Sequence, residues 1–169
     1  MAGSIICGVD DSESARGAAR VARALAGELG AELTFVRVVE RGASDATVST
    51  IAERLERLSA AATDVDCGAA WHVEQGHPAD GLVAAARSAG AAMIVVGSTG
   101  PRSSLLGSVS ADVSRRAPCP VVVVPPGADA RHDRSDDDFA GGIVRFGLGN
   151  GGTEFAGGIA RFGLGARDR

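Results

Sequence analysis

The chain has 169 residues and a hydrophobic content of 45%, which is enough to build the core of one globular domain. Its net charge is −4 and all 17 basic residues are arginine, so no lysine is available to contact a β- or γ-phosphate or to form a Schiff base. The sequence contains neither a basic cluster nor an apolar run of the roughly 20 residues that span a bilayer, so we expect no nucleic-acid partner, no membrane segment and a cytoplasmic location.

Strand and helix signals alternate along the first 124 residues. Short apolar or β-branched runs predict five strands, at residues 4–9, 33–39, 69–74, 93–96 and 121–124. The first helix is expected to begin at Ser12 or Ser14 and to end at Gly30, and its apolar stripe includes Leu25 and Leu29. Such alternation is typical of a parallel α/β sheet with helices on both faces.

The segment from 93 to 124 combines a strand, a glycine-punctuated loop and the start of a helix. Backbone N–H groups in the loop and the first helical turn have no helical partner, and the helix dipole adds partial positive charge there. Gly97, Gly100 and Gly107 are expected to permit positive φ angles and close approach of a ligand. The hydroxyls of Ser108 and Ser110 can donate to phosphate oxygens. The pattern predicts a phosphate site, with a plain tight connection as the alternative.

Three short motifs follow one another within this segment. They are Gly97-Ser98-Thr99-Gly100, Gly107-Ser108-Val109-Ser110 and the sequence APCPVVVV at 117–124. They resemble the signature of the universal stress protein family in its nucleotide-binding branch, except that the six residues between Gly100 and Gly107 are three fewer than in that branch. The resemblance extends over residues 3 to 124. It implies a Rossmann-like, open, five-stranded parallel sheet of order 3-2-1-4-5, with a ligand at the carboxyl ends of strands one and four.

The same resemblance implies a ligand and its contacts. The ligand would be an adenine nucleotide, ATP or alternatively AMP or ADP, with Mg²⁺ accompanying the nucleotide. Asp10 would lie near the sugar and base, and the backbone of Val38 would contact adenine. The loop and helix start would complete the nucleotide site with Gly97, Gly100, Gly107, Ser108, Val109 and Ser110. Asp10 has a simpler alternative interpretation as a carboxylate at a helix start.

Signatures of metal binding and catalysis are missing from the sequence. The three cysteines and three histidines share no metal-ligand spacing, so we expect reduced thiols and no metal held by protein side chains. The serines are not part of a Gly-x-Ser-x-Gly motif and no base is placed beside them. Hydrolase chemistry is therefore not expected, and a slow ATPase is the weakest functional alternative.

The last predicted strand is apolar throughout. It consists of Val121, Val122, Val123 and Val124. An open edge on such a strand would promote aggregation. We therefore predict a homodimer in which this strand pairs with its copy across a two-fold axis, as the family resemblance also implies.

The composition changes after residue 125. Residues 126–138 are rich in Gly, Asp and Arg without apolar periodicity, which predicts a disordered acidic linker between a 1–125 domain and a tail at 139–169. The sequence FAGGI-x-RFGLG begins at Phe139 and again, 16 residues later, at Phe155. Because so many glycines disfavour a helix or an isolated hairpin, we expect no regular structure in the tail.

Aromatic residues are unusual in a disordered segment, so their matched positions predict a docking motif for a protein partner. The residues proposed to contact that partner are Phe139, Ile143, Arg145, Phe146, Leu148, Phe155, Ile159, Arg161, Phe162 and Leu164. The sequence thus favours a nucleotide-sensing module whose tail docks a partner. The alternative function is a dimeric scaffold without nucleotide binding that presents the tail to an oligomeric partner or a protein shell. For the tail itself, the alternative is a duplicated flexible segment that has no partner.

Overall fold

Five parallel strands and four helices form the main body of the part of the chain that the structure describes. The computed structural model describes residues 3–63, 69–98 and 107–128, and two short strands further along the chain. The strands of the main sheet are β1 Ser4–Gly8, β2 Glu32–Val39, β3 Ala69–Gln75, β4 Met93–Gly97 and β5 Val121–Val124. The helices are α1 Glu13–Leu29, α2 Asp45–Thr63, α3 Pro78–Ser88 and α4 Ser108–Arg116. None of the helices described is long and apolar enough to cross a membrane.

The main sheet has the order β3-β2-β1-β4-β5, and all of its neighbouring strands are parallel. This confirms the predicted Rossmann-like fold. β1 lies at the centre, where Ile5 pairs with Leu33 of β2 on one side and with Met93 of β4 on the other. Because the order of the strands reverses between β1 and β4, a crevice forms at their carboxyl ends.

Each face of the sheet has its own apolar core. On one face, α1 and α2 contribute residues such as Ala18, Ala22 and Leu55. On the other face, α3 and α4 contribute residues such as Leu82 and Val113. The buried face of α1 is built from alanines, and their small side chains let its backbone lie close to the sheet.

α1 begins and ends where the sequence predicts. Ser12 is the N-cap, and its Oγ accepts a hydrogen bond of 3.1 Å from the N–H of Ala15. Gly30 closes the helix with a φ of 60°. The expected inward position of Leu29 is wrong, because its side chain is 58% exposed. The buried face of α1 runs through Ala26, and the next position on that face is Gly30 itself.

β5 is the last strand in the sheet order, and its four valines are buried within this single chain. The most exposed of them is 4% exposed, because their side chains alternate between the two cores. The N–H groups of Ile94 and Ser98 bond to the carbonyls of Pro120 and Val124. By the alternation of a parallel ladder, the backbone groups of Val123 point away from β4. A partner strand would therefore meet the outward backbone of β5 rather than its side chains.

After β5 the chain crosses α1 in an exit segment, residues 125–128. The guanidinium of Arg20 donates a hydrogen bond of 3.3 Å to the carbonyl oxygen of Ala128, and Ala128 packs against the core on this face. The same oxygen would lie 3.4 Å from a Cβ built on Gly17. Of the predicted linker, Pro126 and Gly127 are exposed, whereas Ala128 packs against the domain. Residues 129–138 lie outside the described residues.

Two short strands belong to the tail. β6 Val144–Phe146 pairs antiparallel with β7 Gly158–Ala160, and Cα atoms of β6 lie within 8 Å of Cα atoms of β5. The expectation of no regular structure is wrong for these two segments, because each provides a hydrogen-bonding partner for the other. Of the ten proposed docking residues, Arg145, Phe146 and Ile159 lie in these strands, and the others fall outside the described residues.

Candidate functional site

A cavity of about 310 Å³ opens at the carboxyl ends of the central strands. The ends of β1, β2 and β4 and the first turns of α1, α3 and α4 surround it. It is lined by Gly8, Val9, Asp10, Ser12, Ala15, Val36, Arg37, Val38, Glu40, Pro78, Leu82, Val96, Gly97 and Val109. Mostly apolar walls with a few polar groups, at the point where the strand order reverses, are typical of a small-molecule site.

Four of the eight residues predicted for the nucleotide site line this cavity, and three more lie close to one of these four in the sequence. Those that line it are Asp10, Val38, Gly97 and Val109. Those that stand at the start of α4, beside Val109, are Gly107, Ser108 and Ser110. Gly100 belongs to residues 99–106, which lie outside the described residues.

Asp10 follows β1 and shapes the turn into α1. Its Oδ1 accepts a hydrogen bond of 2.8 Å from the N–H of Ser12, and Ser12 in turn caps the helix. The carboxylate therefore stabilises the helix start and lines the cavity at the same time. The two interpretations of Asp10 that the sequence left open are compatible.

Gly97 ends β4 where the first turn of α1 lies against it. A Cβ built on Gly97 would come 2.6 Å from the carbonyl carbon of Ser14 and 2.8 Å from the nitrogen of Ala15. The expectation of a positive φ is wrong here, because Gly97 is not one of the described glycines with positive φ. Glycine is needed at this position because the helix backbone approaches the strand so closely.

α4 begins beside the cavity with an amino end that no described side chain caps. Its N-cap, Gly107, has φ −74° and ψ 168°, an extended conformation instead of the expected positive φ. The hydroxyl of Ser110 is buried and donates to the Gly107 carbonyl at 3.0 Å. It therefore stabilises the first turn and is not the phosphate donor that the sequence predicted, whereas Ser108 is exposed. The free N–H groups and the helix dipole favour an anion beside Val109.

Two charged residues that line the cavity, Arg37 and Glu40, were not predicted from the sequence. The side chain of Arg37 is 22% exposed and pairs with the carboxylate of Asp11 at 3.2 Å. The other oxygen of Asp11 is 3.0 Å from the guanidinium of Arg54 in α2. A signal was present, because Arg37 interrupts the largely apolar segment 33–39 and Glu40 directly follows it. That strand ends at the same edge as β1.

The site offers neither a metal cluster nor a reactive thiol in the described ranges. No group of three His, Cys, Asp or Glu side chains there could hold a metal ion. Burial raises the pKa of the Cys7 thiol above its ordinary range, and partial burial raises the pKa of Cys119. Both thiols therefore resist ionisation at neutral pH. Cys67 lies outside the described residues.

The sequence model of the universal stress protein family matches residues 1–125. The chain belongs to this family. The match covers the whole main sheet and ends where the exit segment begins to cross α1. No curated protein sequence matches the chain.

Solved universal stress proteins share the fold. One from Archaeoglobus fulgidus, in complex with dAMP, is 25% identical, with a TM-score of 0.62 over 72% of this chain and 97% of its own. A family member from Burkholderia pseudomallei is 28% identical, with a TM-score of 0.56 over 73% and 96%. A universal stress protein in complex with cAMP is 23% identical, with a TM-score of 0.59 over 73% and 97%, and shows the fold alone. These relatives are therefore about the size of the main-sheet unit.

Proposed function

We propose that this universal stress protein is a cytosolic nucleotide-sensing module that binds an adenine nucleotide in the cavity. The observation that carries the proposal is the start of α4, which no described side chain caps, beside a cavity with mostly apolar walls and two carboxylates, Asp10 and Glu40. Such a site combines an anion-binding end with a surface for a base. The relative of 25% identity that was solved with dAMP supports this ligand class.

The two ends of the cavity suit different parts of a nucleotide. The N–H groups at the start of α4 suit a phosphate group, and the walls that Val36, Val38 and Leu82 contribute suit a base. The carboxylate of Asp10 can accept a hydrogen bond from a ribose hydroxyl. Mg²⁺ would arrive with the nucleotide, because it usually combines phosphate oxygens and waters with one or two carboxylates.

The length of the β4–α4 loop bears on the choice of nucleotide. Six residues separate Gly100 from Gly107, three fewer than in the nucleotide-binding branch that the sequence resembles. Fewer loop N–H groups are then available beyond the α-phosphate. We therefore expect AMP and ADP to bind nearly as well as ATP. Calorimetric titrations with the three nucleotides, with and without Mg²⁺, test this, and a strong preference for ATP would contradict it.

The second candidate function is a dimeric scaffold that does not bind nucleotide, and the short loop and the duplicated tail motif favour it. The small molecule that accompanies the purified protein separates the possibilities. An adenine nucleotide released by heat supports the sensing module. Its absence from intact dimers supports the scaffold, and steady turnover of added ATP supports the weaker alternative, a slow ATPase.

The output of the module would be an interaction with another protein. We expect a homodimer through the outward backbone of β5 and a protein partner for the repeats of the tail. A pull-down with the full chain and with a chain ending at Ala128, which retains the exit segment, tests the second expectation. Recovery of the same proteins by both chains would exclude a docking role for the tail.

A further inference from the structure

The two copies of the tail repeat pair with each other in a symmetric register. β6 lies in the first copy and β7 in the second, and Val144 stands opposite Ala160. Each of these residues lies five positions after the phenylalanine that opens its copy, Phe139 or Phe155. The described ladder, which runs from the pair Val144–Ala160 to the pair Phe146–Gly158, therefore has equivalent positions of the repeat at one end.

This register is compatible with a two-fold axis at the Val144–Ala160 pair, because an antiparallel ladder that passes through equivalent positions can continue in the same way on either side of them. Continued so, each copy would offer the same residues to the other, and the contact would be isologous. An isologous contact depends on the sequence of the segment and not on the chain to which the segment belongs. A single copy can therefore pair in the same way with a copy in another molecule.

We propose that the repeat is a self-complementary pairing strand, and that the partner of the tail is the tail of a second copy of this chain. The proposal rests on the docking role proposed above for the tail and names the partner.

The strand lengths and the connection between the strands determine when exchange between chains occurs. β6 and β7 have three residues each, and a two-stranded ribbon of that size is marginal in water. Eleven residues connect them, and so short a connection gives the intrachain pair an effective concentration on the order of millimolar. Pairing within one chain therefore dominates in dilute solution, and pairing between chains requires that one copy is freed or that chains are held close together.

The position of the ribbon favours exchange in a dimer. β6 lies beside β5, so the ribbon stands at the end of the main sheet. A dimer joined through the outward backbone of β5 would have to displace the ribbon from that strand, and the four displaced copies of the repeat would then lie close to one another. Each copy would then have three possible partners at a high local concentration.

Blocking one copy in the full chain provides the test. In the variant Ile159→Pro with Ala160→Pro, the two prolines remove whichever of the two N–H groups faces β6, because successive N–H groups point to opposite sides. The matched control, Ile159→Val with Ala160→Ser, retains both N–H groups. We expect the blocked variant to self-associate about tenfold more tightly than the control in sedimentation velocity, because its first copy is no longer occupied within the chain.

Blocking the first copy as well, with Val144→Pro and Arg145→Pro, should return the association to that of a chain ending at Ala128. That shorter chain retains β5, so its association is the association that β5 provides alone. We expect it to fold without the tail, because the solved relatives are about the size of the main-sheet unit. Equal association of the singly and doubly blocked chains would overturn the proposal. If the tail still captured a different protein in that case, self-pairing would be wrong and the docking role would stand. If the singly and doubly blocked chains associate equally and the tail captures no other protein, both self-pairing and the docking role of the tail are wrong.

Discussion

Gly97→Ala adds one methyl group where the end of β4 lies against the first turn of α1. The methyl would lie 2.6 Å from the carbonyl carbon of Ser14 and 2.8 Å from the nitrogen of Ala15. Carbon atoms in contact are normally about 3.5 Å apart or more, so the first turn of α1 must move by on the order of 1 Å. No rotamer change can relieve the overlap, because the colliding atoms belong to the backbone.

The displacement should affect stability and binding together. A methyl group forced into a well-packed core costs about 1–3 kcal/mol, and the rigid backbone contact places Gly97→Ala at about 2–3 kcal/mol. Ser12 and Ala15 of the same turn line the cavity. We therefore expect the nucleotide affinity of the folded variant to fall by about tenfold, which corresponds to roughly 1.4 kcal/mol.

Gly17→Ala is the matched control, because it adds the same methyl group to α1 where space exists. Its nearest neighbour outside the helix would be the Ala128 carbonyl oxygen at 3.4 Å, close to ordinary contact distance. Replacing a glycine within a helix by alanine stabilises by about 0.5–1 kcal/mol. The two substitutions should therefore change the free energy of unfolding in opposite directions.

Urea unfolding monitored by circular dichroism measures both stabilities, and calorimetry measures nucleotide binding. A Gly97→Ala variant within about 0.5 kcal/mol of wild type would refute the close contact between β4 and α1. A variant that is stable but does not bind would instead show that Gly97 acts through the ligand. A destabilised Gly17→Ala variant would refute the reasoning about the exit segment.

Three further predictions concern α4, β5 and the surface. Gly107→Asp should retain stability or gain a few tenths of a kcal/mol, because aspartate is a favoured N-cap, yet weaken nucleotide binding at least about tenfold because its carboxylate competes for the anion site. Calorimetry should show a smaller loss for the uncharged Gly107→Asn, and equal affinity in all three proteins would contradict the site. Val123→Pro removes an outward N–H of β5 and should shift the dimer towards monomer in light scattering, whereas the control Val123→Ala should not. A wild-type chain that is monomeric at micromolar concentration would contradict the predicted dimer. The Arg116 guanidinium, 2.6 Å from Asp80, holds the pKa of that carboxyl below its ordinary value of 3.8, so the pair stabilises above that pH and the contribution disappears as the pH falls through the lower folded value. Asp80→Asn should therefore lower Tm at neutral pH but not in strong acid, and a difference that does not vary with pH would count against this pair.

The sequence by itself determined the order and type of the elements in the main sheet. Period-two and period-3.6 patterns, the Ser12 cap and the Gly30 stop act over a few residues, so they can be recognised without knowledge of the fold. The strand order came from the resemblance to the family and not from periodicity, because a pattern within one strand does not identify its neighbours. Asp10, Val38 and Val109 were assigned to the site by the same resemblance and Gly97 also by the glycine pattern after β4, and all four line the cavity.

Only the tertiary structure decided what individual side chains do at that site. The need for glycine at position 97 arises from contact with Ser14, a residue far away in the sequence. The hydroxyl of Ser110 turns back to Gly107, although a sequence pattern allows it to face a ligand equally well. Arg37 lies at the cavity because β2 ends beside β1, and its guanidinium pairs with Asp11. These roles depend on distances between segments that fold together, and no local pattern contains such distances.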